Sequence, residues 1–167
     1  MQRPILVVED NINDLDLLLL ALERTGATNP IVTVSDGQQA LDFLLRKHRF
    51  SDREGLDPEF VLLDIKLPRV NGLEVLGTMR EVPILRTVPV IMLTSSSYEG
   101  DVLAAYDLGA NGYVIKDNDF QAFVVAVSQI SRMWAKHNEH PPHFRRTNVR
   151  DPRTTPLGVR LNKWESA

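Results

Sequence analysis

The stretch Glu59–Gly72, EFVLLDIKLPRVNG, decides the fold. Phe60 to Leu63 is an unbroken apolar run, too short for a helix and preceded by a charge, and it reads as a parallel strand buried on both faces. Asp64 stands where the run stops. Ile65 and Leu67 flank Lys66, Pro68 ends any regular continuation, and Asn71-Gly72 marks a turn into a helix. In an open α/β sheet, function collects in the crevice outside the carboxyl ends of the strands. Asp64 is therefore placed where a reactive group is expected.

Working outward, the same grammar repeats. Ile5 to Val8 is a second short apolar run, and it ends in Glu9 and Asp10. Leu15, Leu18, Leu19 and Leu22 then fall at i, i+3, i+4 and i+7, a helix closed by Gly26. Ile31–Val34 is strand-like and stops at Ser35-Asp36-Gly37, after which Ala40, Leu41, Leu44 and Leu45 mark a second helix. A polar connection from His48 to Pro58 leads back to the central strand. Beyond it, Leu73, Val75, Leu76 and Met79 suit a helix ended by Pro83, and Val88–Leu93 suits a strand closing on Thr94-Ser95-Ser96-Ser97. Val102, Leu103 and Tyr106 imply a fourth helix capped by Gly109, and Tyr113–Ile115 a fifth strand ending at Lys116. Phe120, Phe123, Val124, Val127, Ile130 and Trp134 form the core stripe of a last helix. Five strands alternating with five helices predict an α/β, flavodoxin-like doubly wound domain, its parallel sheet ordered 2-1-3-4-5.

Composition bounds the class. The 167 residues are 43% hydrophobic and 25% charged, with no cysteine for a disulfide or a thiolate-bound metal. The leucine run near residue 15 is broken by Asp14, Asp16 and Glu23 and is too short to span a membrane, and no signal-peptide pattern opens the chain. A cytoplasmic protein is expected. The net charge of −3 is unevenly spread: from His137 onward five Arg and one Lys face three acids, a balance of +3, which leaves −6 for residues 1–136. Residues 1–136 and 137–167 are read as separate units, an acidic domain and a basic, Pro-containing tail.

The strand ends form a set: Glu9 and Asp10, Asp64, Thr94 and Lys116. In the order 2-1-3-4-5 the first and third strands are neighbours, so three carboxylates converge. They repel one another unless a cation sits among them, and hard oxygen ligands with room for water are what Mg²⁺ takes.

At this point the chain resembles, over roughly residues 3–136, the receiver domain of two-component response regulators. The matching residues are the Glu9-Asp10 pair, Asp64 followed by Pro68 and Gly72, Thr94-Ser95, and Tyr113 three residues before Lys116. The resemblance implies that Asp64 accepts a phosphoryl group from a phosphohistidine on a sensor histidine kinase or phosphotransfer protein. Such a domain assists its own phosphorylation and dephosphorylation without being an enzyme in the ordinary sense. Mg²⁺ is expected on Asp10 and Asp64, on Glu9 through water, and on the backbone carbonyl of Lys66. Lys116 pairs with Asp64 before reaction and with a phosphate oxygen after it, while the Thr94 hydroxyl and the Ser95 amide donate to the other oxygens. Thr94 and Tyr113 form the expected switch, the tyrosine turning inward as Thr94 moves. One departure concerns the loop after Lys116, where most receivers have a cis proline and this chain has Asp117. The other is Lys66, two residues beyond Asp64, at a position that varies widely in the family.

The tail has no helical period and is too short for a DNA-binding output domain, so the signal is expected to pass to a separate protein or through self-association. The long connection at 48–58 and the ending of the last helix resemble regulators paired with phytochrome-type kinases. A homodimer is expected through the last helix, where Ala122, Ala126, Gln129 and Met133 fall on a face offset from the core stripe, with the tail as an arm anchored by Phe144, Leu157, Val159, Leu161 and Trp164. The alternative reading lets Arg145, Arg146, Arg150, Arg153, Arg160 and Lys163 bind nucleic acid or another acidic surface. His137, His140 and His143 are spaced by three, but Pro141-Pro142 prevents their stacking on a helix face, so they read as solvated linker and not as a metal site. A flavin-binding reading fails at the first strand-to-helix loop, where Glu9-Asp10-Asn11-Ile12-Asn13-Asp14 offers acids in place of phosphate-cradling donors.

Overall fold

The computed structural model describes residues 2–141. Its strands are β1 (Ile5–Val8), β2 (Ile31–Val34), β3 (Phe60–Leu63), β4 (Val90–Thr94) and β5 (Gly112–Ile115). They alternate with α1 (Ile12–Arg24), α2 (Gly37–Leu45), α3 (Gly72–Glu81), α4 (Glu99–Asp107) and α5 (Phe120–Arg132), and a π-helical turn over Met133–His137 follows α5. All strand pairs are parallel and the order is β2-β1-β3-β4-β5, as the alternation predicts.

Alternation along the strands splits the interior in two. Leu6, Val8, Val61, Leu63, Val90 and Met92 pack with Phe43, Leu44, Val75, Leu76, Met79 and Ala105, under α2, α3 and α4. Ile5, Val7, Phe60, Leu62, Ile91 and Leu93 pack with Leu18, Ala21, Leu22, Phe123 and Val127, under α1 and α5. Period-two side chains on a strand covered on both sides make every position apolar, hence the unbroken runs in β1, β3 and β4.

Register carries the chemistry to one edge. Val8 lies opposite Leu63 and Thr94 opposite Ile115, so the residues after β1, β3 and β5 emerge together with the end of β4. The Asp64 amide donates to the Val8 carbonyl at 3.1 Å, and the Lys116 amide to the Thr94 carbonyl at 2.8 Å. Gly72 is required where α3 begins: a Cβ there would collide with the Asp64 carbonyl oxygen. Asn71 and Glu74 complete a reciprocal capping box at the same point.

Three local expectations are revised. The fourth strand starts at Val90, not Val88, because the Val88 amide is committed to the Leu85 carbonyl at 2.9 Å and Pro89 has no N–H. The connection at 48–58 is not merely polar. Arg46, in a left-handed conformation, donates to the carbonyls of Arg53 and Gly55, Arg53 lies 4.2 Å over the Phe43 ring, and Phe50 packs edge-on against Phe43. His140 is no solvated linker residue: its Nε2 is 2.7 Å from Glu59 Oε1, and both side chains are largely buried. The expected tail anchors, the basic residues from Arg145 onward and His143 lie outside the described residues. Among the described residues no helix is long and apolar enough to cross a membrane.

Candidate functional site

Lys116 is the hub of the strand-end crevice. Its Nζ donates to Glu9 Oε2 at 2.6 Å, Asp64 Oδ2 at 2.7 Å and Asp14 Oδ2 at 2.9 Å. An ammonium has three N–H donors, and each meets a different carboxylate. Among the described residues every peptide bond is trans, that between Lys116 and Asp117 included, so the lysine reaches the crevice without the proline-bearing loop of the family pattern.

Asp64 is 6% exposed at the end of β3. Its second oxygen, Oδ1, accepts from the Lys66 amide at 3.3 Å, so the turn after the strand helps to orient the carboxylate. Glu9 is more deeply buried, and the Asn11 amide donates to its other oxygen at 3.1 Å. Burial pushes the Glu9 carboxyl above its ordinary value, with the Asp64 charge pushing the same way, against the lowering influence of Lys116. Lys116 goes the other way from a buried lysine. Burial alone would lower it, but the hydrogen bonds to Asp14, Asp64 and Glu9 hold it well above its ordinary value.

Glu9, Asp10 and Asp64 bring one oxygen each within 4.8 Å of one another, Asp10 being exposed and the other two buried. Four carboxylates counting Asp14, against one ammonium, leave an uncompensated charge of about −3 at neutral pH. An all-oxygen, anionic set with one arm open to water fits a hard divalent cation.

The remaining predicted residues follow β3 and β4 or lie on β5. Thr94 is fully buried at the end of β4, and its Oγ1 accepts from the Ser96 amide at 3.3 Å. Ser95 between them is exposed, as is Lys66. Tyr113 is half-buried and its hydroxyl donates to the Ser96 carbonyl at 3.0 Å, with burial raising the phenol above its ordinary value. Ser96 Oγ in turn donates to Asp101 Oδ2 at 2.5 Å. Three participants carry no clear mark in the sequence. Asp14 interrupts the leucine run in sequence, yet its place four residues after Asp10, in the first turn of α1, brings it to the crevice. Ser96 is one of a run of serines closing β4, and Asp101 is an acid in the first turn of α4; the Tyr113 hydroxyl on the Ser96 carbonyl and the Ser96 hydroxyl on Asp101 are what link them to the tyrosine.

The pattern for the response regulator receiver domain matches residues 5–128. The chain belongs to that family. As a receiver it is a phosphoacceptor domain and not an enzyme in the ordinary sense, and its fold implies a histidine kinase partner. The probable methanogenesis regulatory protein FilR2 of Methanothrix harundinacea is 39% identical over 137 residues, 82% of this chain and 86% of FilR2. Among solved structures, the bacteriophytochrome response regulator RtBRR is 51% identical, with a TM-score of 0.70 over 85% of this chain and 86% of its own. The Mn²⁺-bound form of the response regulator Rcp1 is 31% identical, with a TM-score of 0.77 over 83% of this chain and 99% of its own, and a curated Rcp1 comes from Synechocystis. The receiver fold is thus shared with a bacteriophytochrome response regulator and with a response regulator crystallised with a divalent metal.

Proposed function

We propose that Asp64 accepts a phosphoryl group from a kinase phosphohistidine, and that the kinase is of the phytochrome type. The observation that carries the acceptor role is the Asp64 carboxylate, 2.7 Å from Lys116 and grouped with Glu9 and Asp10 at the strand-end crevice, while the kinase type is inferred from the similarity to a bacteriophytochrome response regulator. An Asp64 oxygen attacks phosphorus in line. The P–N bond breaks, its electron pair returns to the imidazole, which takes up a proton, and an acyl phosphate remains on Asp64. Lys116 moves its contact from Asp64 Oδ2 to a phosphoryl oxygen, and the Thr94 hydroxyl and Ser95 amide donate to the others. Asp10 and Asp64 directly, Glu9 through water and the Lys66 carbonyl would hold Mg²⁺, which neutralises charge on the transferring group. Tyr113, tethered to the loop after β4, reports the change to the α4–β5 surface. Exposed Ile12, at the start of α1 beside the Glu9-Asp10 loop, offers a partner an apolar contact.

The test is incubation with acetyl phosphate and Mg²⁺, read by intact mass. The wild-type chain gains one phosphoryl group, and Asp64→Asn, with an unchanged circular dichroism spectrum, gains none. Equal labelling of the two would overturn the assignment.

For output we propose self-association through the exposed face of α5. Val125, beside Ala122 and Gln129, is 54% exposed there, and Met133, in the turn that follows α5, is 51% exposed. Sedimentation of the full chain should show a dimer, and of a chain ending at Pro141 a weaker one if the tail acts as an arm across the pair. A monomer for the full chain refutes the dimer, and a dimer untouched by the truncation refutes the arm.

A further inference from the structure

We propose that Asp14 is a positioning residue for the phosphoryl-transfer reaction, acting through Lys116; this rests on the phosphoacceptor reading of Asp64. Lys116 approaches from the end of β5 and must place its ammonium over an acceptor at the end of β3. Glu9 and Asp64 draw it toward the sheet, at 2.6 and 2.7 Å. Asp14, at 2.9 Å, is the contact from outside the sheet, set on the first turn of α1. With all three donors occupied in different directions, the ammonium has one orientation. With Asp14 gone, it keeps two acceptors and is free to pivot about them.

The geometry of Asp14 is itself prepared. Asn11 caps α1 by accepting from the amides of Asn13 and Asp14, at 2.9 and 3.3 Å. That holds the backbone at residue 14 to the helix start, where a carboxylate is favoured by the unpaired N–H groups. Asp14 is also the most exposed of the three acceptors, its side chain 37% accessible against 3% for Glu9 and 7% for Asp64. Its charge is the most screened by water, so its role is to aim the lysine more than to neutralise it. No proline ring follows Lys116 to stiffen its approach, since residue 117 is aspartate in a trans linkage. A side-chain tether from α1 supplies the missing restraint. When the phosphoryl group arrives, Lys116 can exchange Asp64 Oδ2 for a phosphoryl oxygen while Glu9 and Asp14 still hold it, so the cation turns through a small angle and is not released to water.

The experiment is labelling of the full chain by acetyl phosphate at saturating Mg²⁺, comparing wild type, Asp14→Asn, Asp14→Glu and Asp16→Asn. Asp16 is exposed on the same helix and controls for the loss of one negative charge. Asp14→Asn should slow labelling about tenfold, less than the roughly hundredfold of an ångström's misplacement, because two acceptors remain. Asp14→Glu should restore most of the rate, and Asp16→Asn should leave it unchanged. Repeated in a Lys116→Ala background, Asp14→Asn should have no further effect, which a merely structural role would not produce. Where that background labels too slowly to measure, the Lys116 ammonium proton signal decides, being protected from exchange in the wild type and broadened in Asp14→Asn. An equal fall for Asp14→Asn and Asp16→Asn, additivity with Lys116→Ala, or an unchanged ammonium signal overturns the proposal. If the wild type takes no label at all, it is the phosphoacceptor reading that fails, and the ammonium signal still reports on the Asp14 contact.

Discussion

Replacing Lys116 with methionine keeps most of the stem and removes the cation that three carboxylates share. At an effective dielectric of about 20, a unit charge at the 2.7 Å separation of Asp64 contributes roughly 6 kcal/mol of gross attraction. Breaking a buried pair costs about 3–5 kcal/mol net, since solvation and relaxation recover part of it. Here a second limit applies: the site can take up a proton. Protonating one carboxylate of ordinary pKa near 4.5 costs about 3 kcal/mol at pH 7 and under about 1 kcal/mol at pH 5. Glu9, already pushed upward by burial, is the group that takes it. Because its folded value lies above its unfolded one, the charged form costs stability above that range, and the cost vanishes as pH falls below the unfolded value. Urea unfolding in EDTA should therefore show Lys116→Met less stable than wild type by about 3 kcal/mol at pH 7, roughly 10 °C in melting temperature, and by about 1 kcal/mol at pH 5. A deficit equal at the two pH values, or below about 1 kcal/mol at pH 7, would refute the reasoning.

Asp10→Asn should stabilise the metal-free chain slightly, by relieving repulsion among the acids, and should abolish the rise in melting temperature that Mg²⁺ gives the wild type; an undiminished rise would mean that the ion binds elsewhere. Gly72→Ala should cost more than about 2 kcal/mol and slow labelling, because the added methyl meets the Asp64 carbonyl; a neutral outcome in urea unfolding would contradict the close approach. Arg80 donates to the carbonyls of Val88 and Gly109 and to Asn111 Oδ1, joining α3 to the starts of β4 and β5. Arg80→Ala should cost about 2–3 kcal/mol by urea unfolding, with labelling of Asp64 retained. Lys116 makes a constant contribution through the neutral range, because a raised lysine loses its stabilising charge only as pH climbs past its ordinary value of 10.5; a titration of stability between pH 7 and 9 should show no step from it.

The sheet was legible because burial on both faces leaves a plain mark, an apolar run of four or five residues stopped by a polar one. β1 and β3 have that mark, and their ends are Glu9 and Asp64. The edge strand β5, with no fully buried residue, was found only through its neighbours. Strand limits failed where backbone donors were already committed, as at Val88-Pro89. Asp14 was hidden for another reason: a helix residue meets the crevice by rotation about α1, and an acid among leucines reads as a solvated face. The packed connection at 46–58 was hidden because arginines that satisfy backbone carbonyls and stack on Phe43 look in sequence like a charged loop.

The central claim concerns one carboxylate, and it can be read at the level of the residue. An acyl phosphate is reduced by borohydride, which converts an aspartyl phosphate to homoserine. After transfer from a phosphorylated sensor kinase, reduction and peptide mapping, homoserine should stand at position 64 and at no other acid of the crevice. Homoserine at position 10 or 14, hydroxynorvaline (the reduction product of a glutamyl phosphate) at position 9, or an unmodified Asp64 peptide from a chain that carries label, would contradict the account.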